Sequence, residues 1–139
     1  MRIRPADVTD AEAVFTVLDE SHGARRPAFD RNYEQIIAAM TYDDTDFLVA
    51  EADGEVVGYA LATRVLSLYA NGPVSQLLEL AVAPAHRGRD IGGQLVDAIV
   101  HRARQAGAVE VIVVARRTRG YFERRGFTEV SNCLTLPLT

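Results

Sequence analysis

Residues Leu78–Val100, LELAVAPAHRGRDIGGQLVDAIV, change character twice along their length. Up to Val82 the run is apolar apart from one carboxylate, Glu79. That is the pattern of a buried strand, and Pro84 stops it because proline cannot donate to a ladder. From Ile91 onward, Ile91, Leu95, Ile99 and Ala103 recur at helical spacing, with Gly107 as a natural C-terminal stop. Between them lies a short loop, HRGRD, running into Gly92 and Gly93. A strand that feeds a helix this tightly presents unpaired amide donors and the positive end of the helix dipole. Gly88, Gly92 and Gly93 let backbone approach a ligand, and Arg87 and Arg89 add permanent positive charge. Read alone, the loop is either an anion cradle or a tight connection with solvated arginines.

Working outward, MRIRPA reads as a short strand ended by Pro5, and Thr9 with Glu12 in capping-box spacing opens an amphipathic helix over TDAEAVFTVLDES. RRPAFDRNY reads as a loop, followed by a shorter helix over YEQIIAAMTY. Two β-rich runs flank ADGE, whose Asp-Gly pair is a hairpin turn signal. On the C-terminal side, VEVIVVA is a second apolar strand, TRGYFERRG a short helix ending at Gly126, and FTEVSNCLTLPLT closing strand material. The order predicts an α/β fold with a central mixed sheet flanked by helices, in one domain over residues 1–139.

Composition narrows the function. The formal charge is −4, with 15 basic and 19 acidic residues, which points away from nucleic acid and from a polybasic membrane anchor. Cys133 is the only cysteine, so no internal disulfide forms, and His22, His86 and His101 lack metal-ligand spacing; no metal is expected. There is no apolar run of membrane-spanning length and no signal-like N-terminus, so an unprocessed cytoplasmic protein is expected. Neither G-x-x-x-x-G-K-[ST] nor a G-x-G-x-x-G opening the helix is present, which sets aside the two familiar phosphate motifs.

What the central stretch does resemble is the acetyl-CoA site of the GCN5-related N-acetyltransferases. There a V-x-P segment is followed by [RQ]-x-x-G-x-[GA]; here Val82, Ala83 and Pro84 fill the first, Arg87 begins the second and Gly92 ends it. The middle glycine is replaced by Asp90. Downstream, GYFERRGF resembles the family's second motif, and the order of elements is similar along essentially the whole chain. The resemblance implies a GNAT-like acyl-CoA N-acyltransferase fold in which two central strands, here LLELAVA and VEVIVVA, splay to admit the pantetheine arm. It implies acetyl-CoA as co-substrate and direct attack by an amine on the thioester. The carbonyl would be polarised by amides near Leu80, Ala81 and Val82, and the pyrophosphate would sit on Arg87, Gly88, Arg89, Asp90, Ile91, Gly92 and Gly93. At Asp90 the carboxylate would be offset by Arg87 and Arg89, leaving cofactor binding weakened rather than lost.

In many relatives a tyrosine four residues before the glycine of the Gly-Phe pair protonates the leaving thiolate. Here that position is Phe122, with Tyr121 beside it, and neighbouring helical residues point about 100° apart. Tyr121 is the candidate acid, or else a packing or cofactor contact like Phe122. Glu79, in its apolar strand, is the candidate base, with burial expected to raise its pKa and with Leu77 and Ala81 expected on its face; the other reading is a pairing or orienting role. Glu51 and Glu55 are expected in solvent, Arg116 and Arg117 in solvent or else near cofactor phosphate or a substrate carboxylate, His86 facing solvent or else lining the loop, and Cys133 in the core or a strand. SHGARRPAFDRNY and VLSLYANGPV are expected to line the pocket of a small-molecule or peptide amine, and a homodimer is expected by resemblance. The alternative to an enzyme is a catalytically weak acyl-CoA-binding sensor or scaffold.

Overall fold

The computed structural model describes residues 1–42, 44–114, 119–130 and 133–139. Arg116 and Arg117 therefore lie outside the described residues. Along the chain, β1 (Arg2–Pro5) is followed by α1 (Ala11–His22), α2 (Arg26–Ala39), β2 (Thr45–Ala52) and β3 (Glu55–Val65). Then come β4 (Val74–Val82), α3 (Ile91–Gln105), β5 (Glu110–Val113) and α4 (Arg119–Arg124).

The five strands form one sheet in the order β1-β2-β3-β4-β5. All neighbours are antiparallel except β4 and β5, which run parallel because α3 carries the chain across between them. The ADGE hairpin is as expected: Asp53 and Gly54 both have positive φ, 53° and 79°, as a two-residue turn matched to strand twist demands.

Each face of the sheet carries its own apolar cluster. On one side α3 buries Ile91, Leu95, Val96, Ile99 and Ala103, and Leu95 and Ile99 are fully enclosed against Leu48, Ala60 and Leu77. On the other, Val14 and Val17 of α1 and Tyr33 of α2 pack on Phe47, Val49, Tyr59 and Leu61. A relay of rings runs across this second face from Phe15 through Phe29, Tyr33 and Phe47 to Tyr59, with centroids 5.1, 5.5, 5.6 and 6.0 Å apart. Asp46, 2 % exposed, receives Arg64 and Arg102 and so ties β2 to β3 and α3.

Five sequence expectations are corrected. The capping box is formed by Asp7 and Asp10, not Thr9 and Glu12, and it caps a single 3-10 turn, Val8–Asp10, ahead of α1. Asp10 accepts from the Asp7 amide while Asp7 accepts from the Thr9 amide, so the shorter acidic side chains reach what Thr9 and Glu12 were assigned. RRPAFDRNY is not a loop: α2 begins at Arg26, with Pro27 in its first turn, where a missing N–H costs nothing. Glu51 is not simply solvated, since Arg4 Nε donates to it at 2.9 Å. Finally, no strand follows β5 among the described residues. Leu134, Leu136 and Leu138 alternate as a strand would but are 82–94 % exposed, and Cys133 is exposed rather than in a core or strand. An alternating pattern supplies a face, but a strand forms only where the backbone also pairs with a neighbour.

Candidate functional site

The parallel pairing of β4 with β5 covers only Val74–Leu77 against Glu110–Val113. Past Leu77 the edge of β4 that faced β5 has no strand against it among the described residues. The two strands part there, and a cleft of about 1290 Å³ opens between them. It is lined by Leu77–Val82 of β4, Val113 and Val114, the loop into α3, Tyr121 and Phe122 of α4, and Asp19–Gly23 at the end of α1. A concave site at the carboxyl end of a parallel strand, beside a helix N-terminus, is where α/β sheets bind ligands.

Glu79 owes its position to an irregularity. Leu61 pairs with Glu79 but Ala62 with Leu77, so Leu78 is an extra residue bulging from β4. Without the bulge, Leu77, Glu79 and Ala81 would share a face. With it, Leu77 joins Leu80 and Val82 against α3, while Glu79 and Ala81 turn toward Tyr59 and α1. Glu79 is also exposed to the cleft, so the expected burial is absent. Its carboxylate instead accepts a hydrogen bond from Tyr59 Oη at 2.7 Å. Burial, then the adjacent Glu79 charge, push the Tyr59 phenol far above its ordinary value, so it stays a donor at any working pH. Tyr59 was missed in the sequence because nothing local marks it; only the β3–β4 register brings it to Glu79.

Tyr121 and Phe122 take different roles. Phe122, 5 % exposed, is locked in the core between the rings of Tyr121 and Phe127 and meets the cleft only at its floor. Tyr121 reaches out. A Cβ placed on Gly92 would lie 3.4 Å from its hydroxyl, which is buried and has no hydrogen-bond partner among the described residues. Burial raises its pKa, so it is a protonated donor at neutral pH. The His86 Nδ1 is likewise buried without a partner at the cleft wall. Ser75 Oγ and Arg125 Nε are also buried without a partner, but neither residue lines the cleft; two orphaned polar atoms on one cleft wall are placed for a ligand to complete their bonding.

Of the loop residues, Arg87, Gly88, Asp90, Ile91, Gly92 and Gly93 line the cleft and Arg89 does not. Gly88 has φ 83° and Asp90 φ 59°, so two left-handed residues set the curvature before α3 begins. Ile91 buries its side chain in the core and leaves only its backbone to the cleft. Arg87 donates to Val82 O at 3.2 Å and to Ser21 Oγ at 3.3 Å, bracing the loop against α1. Of SHGARRPAFDRNY only Ser21, His22 and Gly23 reach the cleft. None of VLSLYANGPV does, and Val65, Leu66 and Pro73 border a separate hollow near Asp46. Among the described residues no cluster of three or more His, Cys, Asp or Glu is placed to hold a metal ion, and no helix is long and apolar enough to cross a membrane.

Comparison with known proteins bears on this arrangement. The model of the acetyltransferase (GNAT) family matches residues 11–127. The uncharacterized N-acetyltransferase YhfO of Bacillus subtilis (strain 168) is 27 % identical over 147 aligned residues, covering 99 % of both chains. An amino-acid acetyltransferase of Mannheimia succiniciproducens is 30 % identical over 70 % of this chain, which spans 21 % of that longer protein. In fold, the chain superposes with a TM-score of 0.83 on AAC(6')-Iy bound to the bisubstrate analogue CoA-S-monomethyl-acetylneamine, at 22 % identity, covering 99 % of this chain and 97 % of the other.

Proposed function

Because the chain belongs to the GNAT acetyltransferase family and transfers an acetyl group to an amine, we propose that the cleft beside β4 takes acetyl-CoA and carries the transfer in a single site over one domain, residues 1–139. The observation that carries this reading is the open edge of β4 past Leu77 ending on the α3 N-terminus, with the orphaned Tyr121 hydroxyl between them. The residues suit the group. The edge of Leu78–Ala81, past the end of the β5 pairing, offers alternate N–H and C=O groups to an extended amide-bearing arm, as an added strand would use them. The loop from Arg87 to Gly93 offers amides and a dipole to a pyrophosphate. Acetyl-CoA, when bound, would supply the acetyl group as a thioester, with a thiolate as leaving group.

The chain's own residues do the rest. Glu79, held by Tyr59, accepts a proton from an ammonium acceptor, which must be neutral to attack. Tyr121 donates its phenolic proton at the opposite side of the cleft, beside Gly92, where the thiolate departs. Backbone amides near Leu80 to Val82 orient the carbonyl. At the acceptor mouth Asp19, Glu20 and Glu79 favour a cationic amine, of a small molecule or a peptide. A homodimer and a cytoplasmic setting belong to the same proposal. The outer edge of β5, unpaired among the described residues, and the exposed Leu134, Leu136 and Leu138 support the first, and the exposed thiol of Cys133 the second.

The test is thiol release from acetyl-CoA across a panel of amines, diamines and peptides, for wild type and Glu79→Gln. Glu79→Gln should lower kcat by ~10²–10⁴ with little change in the KM for acetyl-CoA. Equal rates for both proteins would remove Glu79 from the mechanism, and absence of thiol release despite cofactor binding would defeat the reading of the cleft.

A further inference from the structure

Asp90 stands where the loop would be expected to carry glycine, and its backbone adopts the glycine-like conformation, φ 59° and ψ 23°. Aspartate visits this region at modest cost, so the loop keeps its shape. The harder problem is charge. A carboxylate at the N-terminus of α3 competes with a phosphate for the same amides and dipole. Where that carboxylate goes is decided by two residues, Gly93 and Arg125.

The first is Gly93, in the first turn of α3. A Cβ built there would collide with Asp90 Oδ1 and lie 2.6 Å from Arg125 Nη1. The space a side chain would need at Gly93 is thus filled by the Asp90 carboxylate and the Arg125 guanidinium. The second is Arg125 itself, after α4. Its Nη1 lies 3.8 Å from Asp90 Oδ1. Its Nη2 donates to Gly93 O at 2.9 Å and to Asp97 Oδ1 at 2.6 Å. The same guanidinium sits 5.7 Å from the centroid of the Tyr121 ring. Anchored on α3 at Gly93 and Asp97, it is held in place rather than swinging freely. The two arginines nearest in sequence do not do this work: Arg87 is engaged with Val82 O and Ser21 Oγ, and Arg89 is outside the cleft.

We infer that Arg125 is a positioning residue for cofactor binding, which draws the Asp90 carboxylate onto the Gly93 side of the first turn of α3 and partly offsets its charge there, leaving the loop amides to a pyrophosphate. This rests on the reading of the cleft as the acetyl-CoA site. The Asp90 side chain is 69 % exposed, so the pair itself contributes little to stability. Its effect is on where a negative charge lies relative to the phosphate.

The test is a double-mutant cycle read by calorimetric titration of CoA into wild type, Asp90→Gly, Arg125→Gln and the double variant. Arg125→Gln should weaken CoA binding by about tenfold, through an uncompensated like charge beside the pyrophosphate. The same change made in the Asp90→Gly background should alter it by less than about twofold, because the charge it managed is gone. Asp90→Gly alone should bind CoA at least as tightly as wild type. S-acetylpantetheine, which lacks the phosphates, should bind Arg125→Gln and wild type alike. Arg125→Lys, which keeps the charge, should recover part of the CoA affinity even if Arg125→Gln proves poorly folded. Equal losses in the two backgrounds, or a parallel loss toward S-acetylpantetheine, would overturn the inference while leaving the cleft as the cofactor site. Failure of wild type and Asp90→Gly alike to bind CoA would overturn both.

Discussion

Tyr121 and Phe122 are adjacent, and their rings meet edge to face, 5.2 Å apart at 88°. Only one of them carries a polar atom, and that atom is buried with nothing to bond. An unsatisfied buried hydroxyl costs about 1–3 kcal/mol, so a stabilising role for it is hard to argue. Tyr121→Phe should therefore slow acetyl transfer by ~10²-fold or more while leaving the thermal midpoint unchanged or raised. Initial rates and melting curves on the same preparation check this, and an unaltered rate would assign Tyr121 to packing. Counting residues back from Gly126 selected Phe122, because the count assumes that the short helix presents its faces in the family's orientation. The packing of Phe122 between Tyr121 and Phe127 turns Tyr121 toward Gly92 instead. Glu79 shows the complementary case. Its identity as the odd carboxylate of an apolar strand is visible in the sequence, but its exposure and its bond to Tyr59 are not.

At the scale of elements, β4 and α3 carry the site between them. The bulge at Leu78 reverses which residues of β4 meet α3, and the end of pairing at Leu77 leaves the next residues an open edge. Neither event has a local signature, since LLELAVA reads equally well as a straight strand. The position of α3, by contrast, is fixed by Leu95 and Ile99, both fully buried against the sheet. Leu95→Ala should destabilise the fold by about 2–5 kcal/mol, measured by urea unfolding. Because the loop amides are the first turn of the same helix, cofactor affinity should fall with it. A loss below about 1 kcal/mol would mean that α3 relaxes to fill the cavity and is not the rigid floor of the site.

For the molecule as a whole, charged side chains do the tying at both ends of the sheet. Asp46 joins three elements through Arg64 and Arg102. Asp10 accepts from Arg4 Nη1 and Nη2 at 2.8 and 2.9 Å and from the Asp7 amide at 2.9 Å, pinning β1 to the entry of α1. The Arg4 hydrogen bonds, more than any other cause, hold the Asp10 pKa below the ordinary carboxylate value. A folded value below the unfolded one means that the unfolded chain binds more protons, so this stability is present above about pH 4 and is lost as pH falls through the depressed value. Thermal melts of wild type should fall over that acid range, and Asp10→Asn should melt lower at neutral pH and flatten the decline; identical pH slopes would sink the assignment.

Periodicity and turn chemistry, being local, determined much of the rest: the Asp53-Gly54 hairpin and the strand–loop–helix around Arg87 to Gly93. Local patterns misassigned the start of α2, since proline signals a break but is also tolerated in a first turn, and they promised a closing strand that the described residues do not form. Tertiary structure alone decided three things. It set Tyr59 against Glu79 through strand register, opened β4 by ending its pairing at Leu77, and brought Arg125 to Asp90 across the contact between α4 and α3. Each depends on residues distant in sequence meeting through the burial of apolar faces, and a linear pattern contains the faces but not their meeting.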